Sequence, residues 1–244
     1  MTTLKHPRFY SLVDQCIQEP PQKSDEWFNM RKGKLSGSKL SNFLFIQNQA
    51  ERVKFFEEVF EGRKREAFSD EQKEYMEWGV QNEDRAMFVF LNFMPHLMAF
   101  EAPMVQHTEV KYLSASPDGF YEIRDNDEVI DTGVIEIKCG GKTKKAYDRV
   151  KYYYVPQVYL EMAVSGKRNA IFISWGLDYT RAWRIEWNDK FWESLSNMIR
   201  VFVNTKNSKW DEYAKAKFFL RRECASVVKA AVPLHPGKGW PSSV

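Results

Sequence analysis

The sequence predicts an α/β fold, with a central mixed β-sheet flanked by helices. Three observations carry that reading. Helix caps and helix-length apolar patterns dominate about residues 1–95. Short strands joined by tight turns occupy the next stretch, to about residue 140. One intervening helix then leads to two more strands and a C-terminal helix pair. Helices on both sides of a block of strands are the order expected when helices cover the faces of one sheet.

Each element has a local reason. Ser24 can cap a short helix over Asp25–Arg31, whose acidic first turn suits the helix dipole, and Gly33 ends it. Ser36 can cap a second helix through about Leu44. A third runs from about Ala50 to Phe60 and stops at Gly62. Ser69 with Gln72 forms a capping-box pattern for a long helix that must end before Pro95. From residue 97 to 139 the pattern is that of strands, with turns at Pro117-Asp118-Gly119 and Asp125-Asn126-Asp127. Gly133–Gly140 reads as a short apolar strand interrupted by two charges. Residues 143–165 read as helix again, with Pro156 opening a new first turn. Strands are expected at about 169–175 and 179–187, helices at about 188–205 and 209–230, and a loose tail from Pro233. The whole is expected to be one domain: a helical part over about 1–95, a sheet-bearing core over about 96–187, and C-terminal helices over about 188–232.

Composition narrows the function classes. The chain has 244 residues, 43% of them hydrophobic, enough for a sizeable core and too many for a disordered chain. Its apolar runs fall well short of the roughly 18 residues that a membrane span needs, and MTTLKHPRFY has no secretory apolar segment, so an intracellular protein is expected. Cys16, Cys139 and Cys224 are scattered; they form no disulfide framework and are too few for an iron–sulfur cluster held by four cysteines. The net charge of +3 is nearly balanced, so its distribution matters more. Basic side chains gather in two places. Lys138, Lys142, Lys144, Lys145, Arg149 and Lys151 stand beside a single acid, Asp148, and residues 200–244 carry nine basic and three acidic side chains.

The strongest chemical signal lies in the 134–139 strand. Residues i and i+2 of a strand share a face, so Glu136 and Lys138 point one way while Ile135, Ile137 and Cys139 point into the core. A charged pair on so apolar a strand needs compensation. A divalent cation would compensate the carboxylate, and Asp118 could reach the same ion if its flanking strands form a hairpin beside this one. Glu-x-Lys also occurs at Glu71/Lys73 and Glu109/Lys111, so spacing alone leaves an exposed edge-strand ion pair as open as a metal site. Only the third triplet follows a Pro-Asp turn and precedes a basic segment. His6, His96, His107 and His235 have no metal-ligand spacing. Trp27 and Trp78 read as core, and Tyr152, Tyr153 and Tyr154 as packing or DNA-lining.

Five segments in order extend this pattern: Trp27-x3-Arg31-x-Gly33-x4-Ser38, Trp78-Gly79-x3-Glu83, Ser116-Pro117-Asp118-Gly119, Ile135-Glu136-Ile137-Lys138-Cys139 and Tyr154-x2-Gln157-x-Tyr159. Together they resemble the lambda-exonuclease-like enzymes, the YqaJ-type viral recombinases, within the Pro-Asp/Glu-x-Lys nucleases. The resemblance covers about residues 24–165. It departs at Gly37, where alanine is commoner, and at Gly140, where proline is common.

The resemblance implies a restriction-endonuclease-like PD-(D/E)XK core and a Mg2+-dependent deoxyribonuclease, with Mn2+ able to substitute. Asp118, Glu136 and the Ile137 carbonyl would bind metal, with Glu83 a further ligand, of a second ion or through water. Lys138 would position or activate water and Gln157 would orient groups at the site. Arg31 and Ser38 would bind a DNA 5′-phosphate; apart from the resemblance, the basic run after the Glu-x-Lys strand offers Lys142, Lys144 and Lys145 as DNA contacts. Arg31 offers a planar donor fork and Ser38 lies near a helix N-terminus, both suited to an anion. The implied activity is 5′→3′ exonucleolytic digestion of double-stranded DNA. The family setting adds a ring-shaped homotrimer, a single-strand annealing protein as partner, no membrane, and viral or phage recombination inside the host cell. A PD-(D/E)XK endonuclease and a catalytically silent DNA-binding protein are the competing classes. An endonuclease has no need of an end-phosphate pocket, and a silent binder has no need of intact Asp118, Glu136 and Lys138.

Overall fold

The computed structural model describes residues 5–20, 22, 24–141, 143–235, 237 and 239–242. Strand β1 (Phe9–Tyr10) precedes helix α1 (Asp25–Met30), which Ser24 caps by accepting the Trp27 N–H. Gly33, at φ +66°, takes the left-handed conformation that turns the chain into β2 (Leu35–Ser36). The expected helix from Ser36 to about Leu44 is two pieces: α2 (Gly37–Leu40) and a 3-10 turn over Ser41–Leu44. Ser36 makes no side-chain cap, because its hydroxyl accepts a hydrogen bond from Arg31 instead.

Helix α3 (Gln49–Phe60) is capped by Asn48, and α4 (Asp70–Phe93) opens with the predicted Ser69/Gln72 capping box. The free carbonyls at the end of α4 are gathered by Arg8, whose guanidinium donates to Leu91, Met94 and Pro95. Then come β3 (Leu97–Phe100), β4 (Val105–Gln106), β5 (Leu113–Ala115), β6 (Gly119–Asp125) and β7 (Glu128–Cys139). Asn126 and Asp127 both have positive φ, the geometry that matches a two-residue hairpin turn to the strand twist. That turn joins β6 to β7.

Residues 143–151, expected as helix, are not helical; helix α5 (Val155–Ser165) begins only after a 3-10 turn at Tyr152–Tyr154. The cause is tertiary. Asp178 accepts the Ala146 N–H, Ser174 accepts the Tyr147 N–H, and the Lys144 carbonyl accepts the Leu177 N–H. The segment is thereby laid against the strand ends. A Cβ on Gly140 would lie 1.9 Å from the Lys145 carbonyl oxygen, so the approach requires glycine where the resemblance led one to look for proline. Strands β8 (Asn169–Trp175) and β9 (Tyr179–Glu186) and helices α6 (Asp189–Val203) and α7 (Trp210–Ala230) follow as expected. The tail is not loose among its described residues: β10 (Val232–Pro233) and β11 (Trp240–Pro241) both pair with β9.

The main sheet runs β1-β3-β6-β7-β8-β9-β10, with β11 also on β9; β2-β5-β4 form a small second sheet. The β1/β3 and β7/β8 pairs are parallel and the other pairs of the main sheet antiparallel, so the sheet is mixed. The parallel β7/β8 pair is bridged by the α5 crossover. Strand β7 is interior, which rules out an exposed edge-strand ion pair for Glu136 and Lys138. One sheet face packs Ile135, Ile137, Ile171 and Ile173 on Met87 and Phe90 of α4. The other packs Val134 and Phe172 with residues of α5, α6 and α7.

Candidate active site

The β6/β7 hairpin sets Gly119 opposite Ile135. Asp118, one residue before the ladder ends, therefore arrives beside the next turn of β7. Its Oδ2 accepts the Ile137 N–H at 2.6 Å. On an extended strand the N–H and C=O of one residue share an edge, so the Ile137 carbonyl faces the same side.

Glu136 lies on the opposite face of β7 from Ile135 and Ile137, beneath α5, and is only 1% exposed. Its Oε1 takes two donors: the Lys138 ammonium and Gln157 Nε2, the latter at 2.5 Å. Its Oε2 is buried with no hydrogen-bond partner among the described residues. Gln157 Nε2 also donates to Glu161 Oε1 at 2.9 Å. The Lys138 ammonium stands 5.1 Å from the centroid of the Tyr154 ring.

Electrostatics follow from this crowding. Burial, then the charges of Glu136 and Glu83, push the Asp118 carboxyl well above the ordinary carboxylate range. Burial and Glu136 do the same to Glu161. Burial alone would lower Lys138, but the Glu136 and Asp118 carboxylates outweigh it and hold the ammonium charged. A group of buried acids with one lysine among them is short of positive charge.

Two cavities meet at Asp118. One, of about 130 Å3, is lined by Arg31, Gly37, Ser38, Asp118, Glu136, Lys138, Gln157 and Glu161 among others. The other, of about 210 Å3, holds Glu83 and Glu101 together with Asp118 and Ile137. Among the described residues, no three His, Cys, Asp or Glu side chains already form a closed metal cluster. Glu83, on α4, lines the second cavity with Asp118, and its charge acts on the Asp118 carboxyl.

Arg31 is placed by α1 and Ser38 by α2. The Arg31 guanidinium donates to Ser36 Oγ at 2.8 Å and Ser38 Oγ at 3.1 Å, and lies 4.1 Å over the Trp27 ring. Trp27 is buried and its indole N–H donates to Ser116 Oγ. Burial lowers Arg31 to about 10, opposed by the Glu161 charge, so it stays protonated at neutral pH. Thus Arg31, Ser38, Asp118, Glu136, Lys138 and Gln157 converge on one cleft. Lys144 and Lys145 do not line it: Lys144 Nζ sits 4.7 Å over the Trp78 ring, and Lys145 is exposed on the loop after β7. Lys142 lies outside the described residues.

With this geometry in hand, the model of the YqaJ-like viral recombinase domain family matches residues 26–168, more than half of the sequence. The chain belongs to that family. Its fold is similar to the crystal structure of an alkaline exonuclease from Laribacter hongkongensis, with a TM-score of 0.55 and 22% identity over 83% of this chain and 99% of that one. The same enzyme in complex with dAMP gives a TM-score of 0.53 at equal identity and coverage. The α/β core is thus the PD-(D/E)XK fold. None of the curated proteins matches the sequence.

Within this YqaJ-type frame, three side chains near the cleft escaped the sequence reading. Glu161 is one; its signal was an acid four residues after Gln157, on the same face of an apolar helix. Lys39 and Arg65 are the others. They join Arg31 and Lys32 around a cleft of about 1070 Å3 that also exposes Phe28, Met76 and Val80. Burial, then the Arg31 and Arg65 charges, lower Lys39 to about 8. No motif pointed to this pair, because α2, α3 and the loop after α3 come together only in the fold.

Proposed function

We propose that this protein is a metal-dependent exonuclease that degrades double-stranded DNA from 5′-phosphorylated ends. The observation that carries the reading is the single cleft shared by Arg31 and Ser38 at one side and Asp118, Glu136, Lys138 and Gln157 at the other. A donor fork next to a carboxylate–lysine centre suits a strand end whose terminal phosphate is held while a nearby phosphodiester is cut. The family's description as a viral recombinase and the exonuclease fold support the same class. The 5′→3′ direction is read from the end-phosphate pocket formed by Arg31 and Ser38, and the role in phage or viral recombination from the family's description.

The residues present fit a hard divalent cation. The donors are oxygens, one buried oxygen of Glu136 lacks a partner, and Asp118 is crowded by negative charge. Asp118, Glu136 Oε2 and the Ile137 carbonyl would hold Mg2+, or Mn2+ in its place, with Glu83 contributing from its own cavity. Bound there, the ion would supply Lewis acidity toward the phosphate and lower the pKa of water. The protein's own part is orientation and charge. Lys138 stays protonated against Glu136 and would neutralise charge developing on the phosphate oxygens. Gln157 holds Glu136 in place, and Arg31 with Ser38 would fix the strand end.

The test compares linear duplex DNA with and without 5′-phosphates beside a closed circle, all in Mg2+. Nucleotide release is expected from the 5′-phosphorylated linear duplex. Efficient cutting of the circle would favour the endonuclease reading, and no turnover of any substrate a silent DNA-binding protein.

A further inference from the structure

Glu161 is a fully buried acid on a helix whose other inward residues are nearly all apolar. Burying a carboxyl is costly unless its hydrogen bonds serve something. Its Oε1 accepts from Gln157 Nε2, and its Oε2 has no hydrogen-bond partner among the described residues. We propose that Glu161 is a positioning residue for the metal centre: it holds the Gln157 amide with its NH2 turned toward Glu136, which reserves the other Glu136 oxygen for the metal. The inference rests on the metal-centre reading above.

Gln157 carries a carbonyl oxygen and an NH2 group of nearly equal shape, so packing alone does not choose which end meets Glu136. Two carboxyl oxygens do choose. Nε2 lies 2.5 Å from Glu136 Oε1 and 2.9 Å from Glu161 Oε1, and a half-turn of the amide would set its carbonyl oxygen against both. With Nε2 fixed, Glu136 Oε1 is filled by Gln157 and Lys138, and Oε2 is left over. Without Glu161, the amide loses one of the two acceptors that orient it.

The main chain opposite makes room for the pair. A Cβ on Gly37 would lie 3.1 Å from Gln157 Cγ and 3.3 Å from Glu161 Oε1, tighter than ordinary packing. An alanine here would press on both side chains, so Gly37 and the Gln157–Glu161 pair fit together in this chain.

The test is calorimetric titration of the full-length protein with MnCl2 in the absence of DNA, on wild type, Glu161→Ala, Glu161→Gln and Gly37→Ala. Loss of an outer partner of a ligand typically weakens metal binding by about 10- to 100-fold. Glu161→Ala is expected to weaken Mn2+ by about tenfold or more, and Glu161→Gln, whose amide carbonyl can still accept from Gln157, to recover most of it. Gly37→Ala should weaken binding in the same direction, and carries the test if Glu161→Ala fails to fold. Wild-type affinity in Glu161→Ala or Gly37→Ala would overturn the proposal. So would a Glu161→Gln protein that folds yet binds as weakly as Glu161→Ala. Failure of the wild type to bind Mn2+ would overturn the metal-centre reading and this inference with it.

Discussion

Asp118 accepts the Ile137 N–H at 2.6 Å across the end of the β6/β7 ladder. The Pro-Asp turn and the Glu-x-Lys strand are thus joined by the protein itself, before any ligand arrives. The contact also holds two carboxylates, Asp118 and Glu136, near each other in a buried place. Preorganisation of this kind costs stability and serves function. In Asp118→Asn the amide oxygen can still accept the Ile137 N–H, so the fold should survive. Nucleotide release in Mg2+ should fall at least about a hundredfold, the scale of losing one preorganised electrostatic contact. The metal-free variant should melt at or a few degrees above the wild type, since about 1 kcal/mol moves Tm by roughly 2–4 °C at this size. Full activity in this variant would place the chemistry elsewhere.

The same crowding gives a pH dependence with a definite sign. Asp118 and Glu161 both have folded-state pKa values raised above the unfolded ones, chiefly by burial and then by Glu136 or, for Asp118, also Glu83. The folded chain then holds protons that the unfolded chain releases above about pH 4. The contribution of these groups to stability is complete below that pH and is lost as pH rises through the folded-state values. A cation that displaces the Asp118 proton should restore it. The Tm difference between Mg2+ and chelator is therefore expected to be wider at about pH 8 than at about pH 5.5. An equal difference at both would mean that Asp118 is not the group the ion displaces.

How much of this was legible in the sequence depends on how local the causes were. The Ser24 and Ser69/Gln72 caps and the Asn126-Asp127 turn were readable because each acts within a few residues. The shared face of Glu136 and Lys138 needed only the two-residue period of a strand. Strands such as β1, β2 and β4 are two residues long and have no period to detect. Residues 143–151 were expected as helix, yet the Ala146 and Tyr147 N–H groups are taken by Asp178 and Ser174, which lie far along the chain. The burial of Glu136 depended on β7 being flanked by β6 and β8, which is a topological fact. Glu161 was visible as an acid one turn after Gln157, but only the packing of α5 on β7 shows what it touches.

The tail, expected to be loose, offers a stability test. Trp240 is 9% exposed, stacks on Phe93 with ring centroids 5.3 Å apart, and meets Phe90 edge-on. Removing a buried aromatic costs about 3–5 kcal/mol in a well-packed core, and somewhat less at its rim. Trp240→Ala should lower Tm by roughly 6–12 °C in thermal unfolding. An unchanged Tm would mean that β11 contributes nothing to the sheet edge it covers.

The end-phosphate role of Arg31 can be separated from its structural one. The guanidinium is held over Trp27 and donates to Ser36 and Ser38, so removing it disturbs the turn as well as any phosphate contact. A drop in activity alone would not distinguish the two. The ratio of rates on 5′-phosphorylated and 5′-hydroxyl duplexes does, because damage to the turn lowers both while loss of a phosphate contact lowers one. A hydrogen bond to a charged group is worth about 1.5–3 kcal/mol, or roughly 10- to 100-fold. Arg31→Ala should reduce the ratio by about that factor. Arg31→Lys should keep the charge but lose the fork, giving an intermediate ratio. Burial lowers Arg31 only to about 10, so the wild-type ratio should hold steady between about pH 7 and 9 apart from the titration of Lys39 nearby. If Arg31→Ala keeps the wild-type ratio while losing rate on both substrates, Arg31 serves only to tie the Ser36–Ser38 turn to Trp27, and the strand end must be held by other groups.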